Sequence, residues 1–203
     1  LIEAAVVNSD NDSFIALRAA FDRVGYEDWI AALGVEDEVA LDPMSDFPTY
    51  CPRTSAKLWR EMSEYLSCGS EASQWLSELL SSTSRSFIRD GIADEQVLVR
   101  NKAGWISEDG CYSTCDAGLI DIDGRTYVMS IMTSMPWSDR SSEVTAAIAR
   151  LCLIRELRWL ACSFDEVKQN AGTIPWLRIS YRFGEWHGYH RDYRCTRKRD
   201  HAD

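Results

Sequence analysis

The stretch "VLVRNKAGWISEDGCYSTCDAGLIDIDGRTYVMSIMTS", residues 97–134, decides the fold. Apolar residues recur there at every second position, the period of a strand with one face turned inward. Three strands are predicted: "VLVRNKAGW" (97–105), "CYSTCDAGLIDI" (111–122) and "RTYVMSIMTS" (125–134). The link between the first two is short, "ISEDG", and the second pair is joined by Asp123-Gly124 alone. Asp-Gly between alternating apolar runs is a strong hairpin signal, because both residues tolerate the positive φ of a two-residue turn. Short links of this kind join only antiparallel neighbours, so the segment reads as a three-stranded antiparallel meander.

On either side of the meander the period becomes helical. Downstream, "SDRSSEVTAAIARLCLIREL" places Val144, Ile148, Leu151 and Ile154 on one face, with Ser138 or Asp139 as the cap. Upstream, Phe14, Leu17, Ala20, Phe21 and Val24 form a stripe that Asn11 or Asp12 would cap and Gly25 would end. A short helix is expected over Glu27 to Leu33, stopped by Gly34. "TSAKLWREMSEYLSCG" reads as a helix capped by Thr54 and stopped by Gly69, with Leu58, Met62, Tyr65 and Leu66 inward. "SEASQWLSELLSSTS" reads as another, carrying Trp75, Leu76, Leu79 and Leu80, and "RSFIRDGIAD" as a short helix or turn. Residues 35–53, rich in acids and proline and without a period, are expected to be a long surface loop.

Bulk composition narrows the function classes. The chain has 203 residues, 45% hydrophobic and 27% charged, which is globular rather than disordered. A net charge of −10 argues against non-specific nucleic-acid binding, which depends on displacing counterions with positive charge. No run approaches the roughly 20 apolar residues of a membrane span. The seven cysteines, Cys51, Cys68, Cys111, Cys115, Cys152, Cys162 and Cys195, are odd in number and irregularly spaced, which reads as thiols rather than a disulfide framework. On one strand Cys111 and Cys115 would lie about 13 Å apart, too far to bridge. No pair has zinc-ligand spacing, and no metal or other cofactor is expected.

The tail differs in composition. Residues 155–203 hold ten Lys and Arg against seven Asp and Glu, and all three histidines. His187, His190, Cys195 and His201 match no common zinc pattern, and "RCTRKR" reads as a solvated basic run. "NDS" at Asn11–Ser13 fits a glycosylation sequon but overlaps the candidate site described next. The expected division is 1–154 as one domain, with helices over 1–96 and the strands and closing helix over 97–154, followed by a tail over 155–203.

Two tripeptides bracket the helical part: Ser9-Asp10-Asn11 near the start and Lys102-Ala103-Gly104 on the first strand. Each alone is ordinary: the first is most often a helix cap, the second a strand near a turn. Their order, with helices between them and the two further strands after, resembles the penicillin-recognising serine hydrolases, and most closely the class A β-lactamases. That family carries Ser-x-x-Lys, Ser-Asp-Asn and Lys-Thr-Gly motifs. The resemblance covers about residues 1–154. It implies an α/β (α+β) sandwich with an antiparallel sheet packed against helices.

The resemblance also implies roles. Ser9 would relay a proton to the leaving nitrogen of an amide or lactam, Asp10 would brace the turn, and Asn11 would hold a substrate carbonyl. Lys102 would supply positive charge beside Ser9, and Gly104 would let substrate approach the strand edge. The Trp105 backbone N–H would be one of two oxyanion donors. Partners would be a small β-lactam or a cell-wall peptide, outside the cytoplasm.

Three departures qualify this. The family nucleophile lies upstream of Ser-Asp-Asn, whereas this sequence contains no Ser-x-x-Lys. The nearest motif, Thr54 to Lys57, is in the wrong order. The nucleophile helix and the first two strands are therefore expected to lie outside these residues, leaving the chain by itself unable to form an acyl-enzyme. Ala103 replaces the Thr whose hydroxyl would bind a substrate carboxylate, a bond of roughly 1.5–3 kcal/mol. The loop expected to carry a deacylating glutamate has Glu36 and Glu38 but no Asn. These departures keep a second reading open, a non-catalytic binding or scaffold module with the same fold.

Overall fold

The computed structural model describes residues 1–40, 47–108 and 111–161. Its elements are α1 (Ile2–Val7), α2 (Asn11–Phe21), α3 (Glu27–Ala32), α4 (Pro52–Ser67), α5 (Glu71–Ser81), α6 (Phe87–Ile92), β1 (Leu98–Glu108), β2 (Cys111–Ile122), β3 (Arg125–Thr133) and α7 (Asp139–Ala161). The sheet is antiparallel in the order β1-β2-β3. Asp123 and Gly124 form the tight turn between β2 and β3, both with positive φ, +51° and +69°.

Alternation sends the two faces of the sheet to two different cores. Val99, Ile120, Met129 and Ile131 meet Ile88 of α6 and Ala149 and Cys152 of α7. On the opposite face, Leu119 and Val128 meet Leu66, Trp59 and Met62 of α4, Leu80 and Leu76 of α5, and Val6 of α1. The result is a sandwich of helices on both sides of the sheet. A third, smaller core holds Ile30, Val35 and Val39 against Tyr50 and Leu58, and anchors the segment between α3 and α4.

Several local expectations are corrected. α1 was not anticipated, since six residues are too few to show a helical period. The cap of α2 is Asp10, whose carboxylate accepts from the Ser13 N–H at 2.8 Å, rather than Asn11 or Asp12. The predicted stripe ends in solvent, with Phe21 56% and Val24 73% exposed. Gly25 does break the helix, at φ +119° within a π-type stretch that leads into α3.

Helix α4 starts at Pro52 with Cys51 as its N-cap, so Thr54 lies inside the helix. Tyr65 and Trp75 are exposed, as are Leu151 and Ile154. Of the predicted α7 stripe Ile148 does pack on the core, and the buried positions beside it are Ser141, Thr145, Ala149, Cys152 and Leu153. Small side chains there admit close approach: a Cβ on Gly91 of α6 would lie 2.0 Å from the Ala146 carbonyl oxygen. Ser138 caps α7, its hydroxyl accepting from the Ser141 N–H at 3.1 Å.

Candidate active site

Ser9 sits in the bend between α1 and α2. Its backbone is left-handed, at φ +55°, a conformation uncommon outside glycine. The Asn8 and Asp10 N–H groups, on either side of it, both donate to the Ala4 carbonyl at 3.1 Å. Asp10 then opens α2 by capping it. The bend is held to the rest of the molecule by Val6 in the core and by the Ser84 N–H, which donates to the Val7 carbonyl at 2.8 Å.

Lys102 lies on β1 at a position that points toward this bend. Its ammonium donates to the Ser9 hydroxyl and, at 2.6 Å, to the Ala103 carbonyl. The two residues are 93 positions apart in sequence. Burial pulls the Lys102 ammonium below its usual range, and the opposite charge of Asp116 partly offsets this. A partly desolvated ammonium against a hydroxyl is an arrangement that can stabilise the alkoxide or pass a proton.

The remaining predicted residues lie beside this pair in sequence. Asn11 is the exposed first residue of α2. The Asp10 carboxylate is engaged by the cap, and its hydrogen bonds from Ser13 hold it below the usual carboxylate range. Gly104 is exposed on β1, and a Cβ there would meet only open space. Ala103 differs: its methyl is 2% exposed and faces away from Ser9, across from Asp116 on β2. The Trp105 ring stacks on Trp137 at 5.5 Å, and the Arg85 guanidinium lies over both rings at 6.0 and 5.7 Å.

In the segment between α3 and α4, Glu38 is turned onto helix α4. Thr54 donates to one of its oxygens at 2.6 Å and Lys57 to the other at 2.8 Å. Burial raises this carboxyl, but the bonds from Lys57 and Thr54 outweigh it and leave Glu38 below the usual range. The Thr54–Lys57 motif thus has a visible structural use. Residues 41–46 of the same loop, and the tail with His187, His190, Cys195 and His201, lie outside the described residues. Among the described residues no group of three or more His, Cys, Asp and Glu side chains could hold a metal, and Cys51, Cys68, Cys111 and Cys115 are free thiols.

Sequence reasoning missed a buried polar cluster behind Lys102. Asp116, 1% exposed, accepts from Asn101 Nδ2 at 2.7 Å and from the Ile88 N–H at 2.9 Å. Burial nevertheless pushes its carboxyl up to about 6, against these bonds and the Lys102 charge. The available signal was phase: Asp116 shares the inward phase with Ile120, where an acid is expensive unless it is paired.

No curated protein sequence matches the chain. Among solved structures, PBP-A superposes with a TM-score of 0.61 at 23% identity, over 77% of this chain and 60% of that one. A mutant of PBP-A, described as an acyl-enzyme complex with penicillin G, gives 0.60 at the same identity and coverage. The β-lactamase of Streptosporangium roseum gives 0.59 at 20% identity, over 77% of this chain and 63% of that one. The chain therefore spans about 60% of the length of these structures and shares their sandwich fold. The family model described as the β-lactamase enzyme family matches residues 1–155. With that model covering most of its length, and the sheet and helices arranged as in those structures, the chain belongs to the β-lactamase enzyme family.

Proposed function

We propose that this chain is the proton-relay and substrate-binding part of a serine acyl-transfer site acting on β-lactams or peptidoglycan-like peptides outside the cytoplasm. The observation that carries the reading is the Lys102–Ser9 contact, which joins two motifs at opposite ends of the helical segment. The nucleophilic serine comes from outside these 203 residues, since the sequence holds no Ser-x-x-Lys. That serine attacks the substrate carbonyl while the Trp105 N–H helps hold the oxyanion. As the carbon–nitrogen bond breaks, Ser9 delivers a proton to the departing nitrogen and regains the one the nucleophile's hydroxyl gives up on attack, with Lys102 stabilising Ser9 during the transfer. Water then releases the acyl group.

Glu38 favours slow release. Both of its oxygens are held by α4, so it is poorly placed to activate water. The reading is therefore nearer a penicillin-binding peptidase than an efficient lactamase, and the penicillin G complex of the PBP-A mutant supplies the probe. The test is labelling by a fluorescent penicillin of the protein expressed with its upstream reading frame, beside Lys102→Ala. Covalent label that falls in the variant is expected. Absence of label from the folded protein would leave the non-catalytic module as the better account.

A further inference from the structure

Asp116 occupies the register position opposite Ala103, so its side chain lies on the far side of the sheet from Ser9. Asn101, which donates to it, is fully buried and is the strand neighbour of Lys102. The Asn101 Oδ1 accepts from the Thr83 hydroxyl at 3.0 Å and from Arg89 at 3.2 Å. Arg89 also donates to the Thr83 hydroxyl and carbonyl, each at 3.2 Å. Thr83 precedes Ser84, whose N–H holds the Val7 carbonyl two residues before Ser9. The bonds run unbroken from the Asp116 carboxylate through β1 to the bend that carries Ser9.

We infer that Asp116 is a positioning residue for the Ser9–Lys102 pair: through Asn101 and Thr83 it sets β1, and with it Lys102, against the α1–α2 bend that carries Ser9. The inference rests on the reading of Ser9 and Lys102 as the proton-relay pair. Of the groups around Asp116, Lys102 is the one whose charge acts on its carboxyl. From β1 come Asn101 and Lys102, and from α6 come the Ile88 N–H and, through Asn101, Arg89. The neighbouring group on β2 is the Cys115 thiol, whose ionisation Asp116 opposes. β3 presents Ile131 at the register position, and the buried polar groups of α7 on this side are the uncharged Ser141 and Thr145.

A purely structural role would not couple the two titrations. The test is an NMR titration of the Lys102 side chain in the 203-residue chain, assigned by loss of its signal in Lys102→Arg. The Lys102 signal is expected to inflect near pH 6, where Asp116 gains its proton, as well as at its own titration. Asp116→Asn is expected to remove that inflection and move the Lys102 titration to lower pH. A wild-type curve with no inflection near pH 6, or a Lys102 titration unchanged in Asp116→Asn, overturns the inference. If Asp116→Asn does not fold, the wild-type curve decides alone. Penicillin labelling is read separately, so failure of the coupling and failure of the acyl-transfer reading give different results.

Discussion

Ser9 combines a strained backbone with a useful side chain. A non-glycine residue at φ +55° costs on the order of 1 kcal/mol relative to glycine, held here by the bonds that close the bend on Ala4. Ser9→Gly should therefore be more stable than Ser9→Ala by about 1 kcal/mol in urea unfolding, although both lose the hydroxyl. Asp10→Ala removes the α2 cap and should lower the urea midpoint in the same measurement. Ser9, Asp10 and Lys102 were singled out by the order of two tripeptides and the family it resembles, whereas the local cap signal was placed late, at Asn11 or Asp12 instead of Asp10. Asp116, Asn101 and Thr83 were not. Their meeting depends on strand register and on the placing of α6, neither of which a short window of sequence contains.

Among the elements, the strands were read best and the helix faces worst. The β2 bounds and the Asp123-Gly124 turn follow from period and turn chemistry. The inward face of α7 follows only in part: Ile148 packs on the core as the spacing predicts, but most of the buried positions are the small Ser141, Thr145, Ala149 and Cys152. Hydrophobic spacing selects bulk, whereas this interface selects smallness. Gly91→Ala tests the point. Its Cβ would be 2.0 Å from a backbone oxygen, so α6 and α7 must separate, at a cost of roughly 2–3 kcal/mol in urea unfolding. Leu119→Ala, on the other face, should cost about 2–5 kcal/mol through the cavity it leaves beside Leu66 and Leu80.

For the whole molecule, the buried carboxyl sets a pH dependence. Asp116 binds its proton more tightly folded, at about 6, than unfolded, at 3.8. The penalty for burying its charge is full above pH 6 and disappears as pH falls toward the unfolded value, a gain of up to about 3 kcal/mol. Glu38 and Asp10 act in the opposite sense: their bonds stabilise above the ordinary carboxylate range and are lost as pH falls through it. Urea midpoints should thus rise from pH 7 to a maximum near pH 5 and fall below about pH 4, with the rise absent in Asp116→Asn.

The central claim is that Ser9 and Lys102 form a proton relay for acyl transfer. The most direct measurement is the acylation rate constant with penicillin G, by intact mass, for the protein bearing its upstream reading frame and for its Ser9→Ala variant. A loss of about 100-fold or more in Ser9→Ala, with the fold intact, is predicted for a lost proton relay. Equal acylation rates in the two proteins would contradict the account.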